Sequence, residues 1–166
     1  METKPHLGDK EFVGPVKNTG AAAPEKAAVA GLGAGVRAAG SFKYKLSLNG
    51  VPIGWLGKGG SQGMWAEVVK NESDAVSLEW YYSGGDYLRI AGTAYNWMMT
   101  WSGGLSGYPV AFNDWPHANV WKESGGSLIA ADSGAPVSLY SSDVAWLYAN
   151  KDYKALEFTK VLAAGA

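Results

Sequence analysis

From Phe42 onward, apolar and polar positions alternate along the chain. Phe42, Tyr44, Leu46 and Leu48 interleave with Lys43, Lys45, Ser47 and Asn49, the period-two pattern of a strand with one buried face. Asn49-Gly50 follows, a pair that tolerates positive φ and so predicts a two-residue hairpin. Residues 51–56 return as a second strand, and the turn Gly57-Lys58-Gly59-Gly60 ends it. The same alternation of short apolar runs and turn residues predicts strands over 64–69, 76–82, 87–91, 97–101, 109–112, 120–122, 128–131, 137–140, 145–148 and 156–161. No helical period of any length appears after residue 40.

Residues 1–40 read differently. They contain a single aromatic, Phe12, and residues 21–39 are dominated by alanine and glycine. Pro24-Glu25-Lys26 suits the first turn of a helix. Gly31, Gly33 and Gly35 would each cost such a helix about 1 kcal/mol relative to alanine. Any helix therefore stops near Ala30. The expected organisation is an N-terminal extension, 1–40, mostly irregular, ahead of an all-β domain, 41–166.

A repeat runs through the β region. Trp80 precedes Ser83-Gly84-Gly85, and Trp121 precedes Ser124-Gly125-Gly126 at an offset of 41. Leu78-Glu79-Trp80 and Leu156-Glu157-Phe158 match at an offset of 78. Phe42, Trp80, Trp121 and Phe158 then lie 38, 41 and 37 residues apart. Three units of about 39 residues with roughly four strands each, every unit opening on a strand with an inward ring, resemble the β-trefoil superfamily of ricin-B-like and fascin-like modules. The resemblance implies a three-fold fold and a binding module. The Gln-x-Trp triplet and the cysteines of ricin-B-type lectins are absent, so their sugar-binding residues do not transfer. The alternative is a β-sandwich or jelly roll, with an up-and-down barrel behind it. Tyr95-Asn96-Trp97 followed by Trp101 is similar to the Tyr- and Trp-rich loop of actinoporin-like pore formers and fungal fruit-body lectins, which implies a phosphocholine or sugar ligand.

Composition narrows the chemistry. The chain has 166 residues, 23 glycines, 8 tryptophans and no cysteine, a size that buries a core without disulfide staples. With a net charge of −1 and scattered lysines, it lacks the basic footprint of a nucleic-acid binder. METKPHLGDK has no apolar core of a secretory signal, and the apolar-rich residues 27–39 fall well short of a membrane span. The expectation is a soluble protein.

Two histidines, His6 and His117, and no cysteine give no metal or redox signature. Asp114 and His117 supply a base and its orienter without a nucleophile in sequence. Glu79 and Glu157 are read as outward strand positions rather than an acid/base pair. Neither a catalytic residue nor a cofactor is expected. The rings offer more. A sugar packs its C–H face on Trp or Tyr while Asn and Asp take its hydroxyls. The ligand-binding candidates are Tyr95, Asn96, Trp97, Trp101, Asn113, Asp114, Trp115 and His117, with Trp115 expected to be exposed between Asp114 and Pro116. Trp55, Trp80, Trp121 and Trp146 are expected in the core. The leading expectation is a non-enzymatic, lectin-like module for a glycan or another small polar ligand. The alternative is a membrane-active pore-forming or self-assembling protein, acting on a membrane or on its own copies through residues 1–40.

Overall fold

A computed structural model describes residues 41–59, 65–82, 85–93, 96–100, 108–141 and 146–162. The extension 1–40, and with it the membrane and self-assembly reading, lies outside the described residues. The described chain is all-β, and no α-helix occurs among the described residues. Thirteen strands run in order: β1 Phe42–Leu48, β2 Val51–Lys58, β3 Ala66–Val69, β4 Leu78–Tyr82, β5 Asp86–Ile90, β6 Trp97–Thr100, β7 Val110–Asn113, β8 Trp121–Ser124, β9 Ser127–Ala130, β10 Ala135–Leu139, β11 Leu147–Ala149, β12 Lys154–Ala155 and β13 Glu157–Leu162.

They form two sheets. The larger runs β3-β2-β1-β4-β5-β6-β7, with β13 also paired to β1; the smaller runs β11-β10-β9-β8, with β12 on β10. All pairings are antiparallel. The larger sheet nearly closes on itself, because a bridge from Trp65 to Ala111 joins its two ends. Bridges from Glu67 to Trp146 and from Pro109 to Tyr148 tie it to the smaller sheet.

The local causes are visible in sequence. Asn49 and Gly50 take φ of 54° and 80°, the left-handed pair that matches a two-residue hairpin to the twist of its strands. Gly54, at φ 147°, sits where the register of β1 and β2 shifts. A Cβ there would meet the Val69 carbonyl and Val68 Cγ1, so glycine is what lets β2 lie against β3.

One core fills the space between strands. Phe42, Tyr44, Leu46, Leu56, Leu78, Trp80, Leu88, Met98, Phe112, Trp121, Leu128, Val137, Leu147 and Leu156 all belong to it. Trp80 and Trp121 are core, as the repeat predicts, while Trp55 and Trp146 are only half-buried. Trp80, Trp121 and Phe158 lie in β4, β8 and β13, but Phe42 lies in β1 and pairs toward the start of β4 through Leu78. Phe42 therefore packs against Trp80, their rings stacked at 6.3 Å. Under the core, the Tyr44 hydroxyl donates to Glu123 Oε2 at 2.5 Å. The same oxygen lies 3.3 Å from Lys160 Nζ, so three distant segments meet at one carboxylate.

Candidate functional site

Trp97 and Trp115, two of the rings singled out by the aromatic pattern, are brought together against each other. The β6–β7 ladder sets Trp97 opposite Asn113. After Asn113 the chain makes a single 3₁₀ turn, Trp115–His117, in which the His117 N–H donates to the Asp114 carbonyl at 2.9 Å. Pro116, inside that turn, fixes its φ near the value the turn needs. The turn swings the Trp115 indole back over the outer face of the larger sheet. There it meets Tyr87 at 4.6 Å and Trp97 at 4.8 Å, both edge-on. Tyr81 adds a fourth ring, 5.2 Å from Trp97. These rings, with Ala118 and Val120 against them, make a second apolar cluster.

Trp97 is 0% exposed and Trp115 only 7%. The expected exposure of Trp115 is therefore not met. Its flanking Asp114 and Pro116 are exposed, but the tight turn sends the ring between them inward. Edge-on ring contacts of this kind add about 0.5–1.5 kcal/mol to the area they bury. Asn96 and His117 are half-buried, Asp114 is exposed, and the Asn113 carboxamide oxygen accepts the Asp114 N–H at 2.8 Å. Tyr95 and Trp101 lie outside the described residues.

The cluster has a polar margin. Arg89 lies over the Tyr81 ring at 4.3 Å and the Trp97 ring at 5.1 Å, and it donates to the Tyr81 hydroxyl. That hydroxyl donates in turn to Glu79 Oε1 at 2.9 Å. Burial, and then the Glu79 carboxylate, raise the Tyr81 phenol above its ordinary pKa; burial alone raises that of Tyr87.

An open cleft lies beyond this cluster, at the far end of the β6–β7 hairpin. Thr100, Tyr108, Asp132, Ser133, Ala135, Ala149, Asn150, Lys151 and Asp152 line a cavity of about 420 Å³. Three segments supply them: the ends of the β6–β7 hairpin, the β9–β10 turn and the loop after β11. Tyr108 is the one large ring among the described residues that line it, and it is 50% exposed. Its backbone has φ 58°, a left-handed conformation that is unusual for a bulky residue. The Ala149 N–H donates to its carbonyl at 2.9 Å and holds it in place. On the opposite wall the Asp152 N–H donates to Asn150 Oδ1 at 2.8 Å, and the Ala135 N–H donates to Ser133 Oγ at 3.2 Å. The cleft floor is the buried Ala135 and Ala149; Asp132, Lys151 and Asp152 stand exposed on the rim.

A half-exposed phenol ring, an apolar floor and several fixed polar groups are the ingredients of a small-ligand site. Pattern reading missed this cleft because its parts are separated in sequence and none forms a motif. One signal was present: Tyr108 follows the glycine-rich 103–107 stretch and, unlike Trp97, belongs to no alternating run. Among the described residues, no three of His, Cys, Asp and Glu converge as metal ligands, and no helix is long and apolar enough to cross a membrane. No family model, curated protein or solved structure matches this chain.

Proposed function

We propose that this chain is a β-trefoil binding module without catalytic activity, and that it holds a glycan or a chemically similar polar ligand in the Tyr108 cleft. The fold reading is supported by which strands touch. β1 pairs with β4 and β13, β4 with β5, and β8 with β9. β5 lies beside β8, and β9 beside β13. These six strands make a ring, the barrel of a trefoil.

The remaining hairpins, β2–β3, β6–β7 and β10–β11, make its cap. Their bridges follow a cyclic rule: Trp65 pairs with Ala111, Pro109 with Tyr148, and Trp146 with Glu67. Residue i of each hairpin thus meets residue i+2 of the next. Gly50, Gly92 and Gly134, spaced 42 residues apart, all have positive φ, between 74° and 82°. Each ends the first strand of its unit. Leu56, Met98 and Val137 accept the backbone N–H of Val76, Asn119 and Leu156 in the same way. On this reading the units are 42–82, 86–124 and 127–162, and Trp80, Trp121 and Phe158 close each unit rather than open it.

The observation that carries the ligand reading is the half-exposed Tyr108 ring beside a polar-rimmed cleft. A saccharide ring stacks its C–H face on the phenol, and Asp132, Ser133, Asn150 and Asp152 bond its hydroxyls. A glycan array with the wild-type chain and with Tyr108→Gly tests the reading. Wild-type binding to a set of glycans, lost in the variant, is expected. Silence of the wild type on every glycan, or binding that survives the substitution, would overturn it.

A further inference from the structure

The charge on the cleft rim selects among ligands, and the argument rests on the site proposed above. Two carboxylates, Asp132 and Asp152, line the cavity against one ammonium, Lys151. In formal charge, the charged residues lining the cavity sum to −1. Lys151 reaches across to the β9–β10 turn, where its Cε and Nζ would lie 3.9 Å from a Cβ placed on Gly134. The end of its side chain thus lies near Gly134 of that turn. Among the described residues, neither Asp132 nor Asp152 has an ion-pair partner for its carboxylate. Tyr108 supplies the electron-rich face of a ring at the same mouth, and such a face attracts cations. A partly enclosed cleft also concentrates the field of its rim charges. An unpaired acidic pair and an exposed ring favour the same thing: a positive charge attached to a compact ring with an apolar face.

We infer that the cleft prefers an amino-saccharide, a sugar ring carrying a free ammonium group, over its N-acetylated counterpart and over sugars bearing carboxylate or sulfate. The ring packs on Tyr108, and the ammonium faces Asp132 and Asp152. Acidic sugars bring a like charge to the same rim and are disfavoured.

Calorimetric titration of the full chain tests this with three soluble probes of equal length: an oligomer of glucosamine, an oligomer of N-acetylglucosamine and a glucuronate-containing oligosaccharide. Two exposed charge pairs are each worth well under a factor of ten, so the amine should bind about fivefold tighter than the acetylated probe at low salt. The advantage should shrink toward parity by about 0.5 M NaCl. The double variant Asp132→Asn/Asp152→Asn should bring the two affinities within about twofold of each other at low salt. Its unfolding midpoint, read in parallel, confirms a folded chain. Equal affinity for the neutral and amino probes, tightest binding of the acidic probe, or a preference that survives the double substitution would overturn the inference while leaving the glycan reading in place. Failure of all three probes, together with a silent array, would overturn both.

Discussion

Trp115 shows how far a single side chain can depart from its sequence neighbours. Asp-Trp-Pro-His looks like an exposed turn, and its backbone is one, yet the 3₁₀ geometry places the indole against Tyr87 and Trp97. Trp115→Ala should therefore destabilise the fold by about 3–4 kcal/mol in chemical denaturation, the usual loss for emptying a buried tryptophan site. A change under about 1 kcal/mol would mean that the ring is a surface group after all. Tyr108 should behave in the opposite way. Tyr108→Gly removes a half-exposed ring and relaxes a left-handed backbone, so stability should stay within about 1 kcal/mol or rise. Gly54 is the backbone counterpart: Gly54→Ala should cost at least about 2 kcal/mol, because the new Cβ meets strand β3 at a φ that only glycine takes readily. The sequence could not separate Trp115 from Tyr108, since both are single rings in turn-rich stretches. Only the direction of the turn distinguishes them.

At the level of elements, the alternation of apolar and polar positions located the strands well. Twelve expected runs overlap twelve of the thirteen strands, and the short β12 is the exception. Asn49-Gly50 placed the first hairpin for a local reason, which is why it was legible. What pattern could not supply was the joint between β1, β8 and β13, where Tyr44 meets Glu123 across 79 residues and Lys160 meets the same carboxylate. That joint has a pH signature. Burial, and then the Glu123 carboxylate, hold the Tyr44 phenol well above its ordinary pKa of 10.0. Tyr81 and Tyr87 are raised too. In each case the folded chain keeps a proton that the unfolded chain releases. Their contribution is fully present below about pH 10 and is lost as pH rises above it. Denaturation midpoints should be flat between pH 7 and 9 and fall steeply above 10. Tyr44→Phe should lower stability at pH 8 by about 1–2 kcal/mol, through the lost bond to Glu123, and make the alkaline fall shallower. An unchanged alkaline slope would remove Tyr44 from that role.

For the whole molecule, the expected repeat of about 40 residues rests on Trp80 and Trp121, each followed by Ser-Gly-Gly. A regular 42-residue spacing belongs instead to Gly50, Gly92 and Gly134, all at positive φ. The cleft itself was not legible, because a hairpin end, a turn and a loop from different parts of the chain build it. Among the described residues, most of the large rings are buried, chiefly in the two apolar clusters, and Tyr108 is the half-exposed ring that lines the cleft. An amide-by-amide NMR titration with a glucosamine oligomer tests this division most directly. Shifts concentrated at Thr100, Tyr108, Asp132, Ser133 and 149–152, with Trp97 and the 113–117 turn unmoved, are the result expected. Shifts centred on Trp97, Trp115 and Asp114, with the Tyr108 cleft silent, would contradict it.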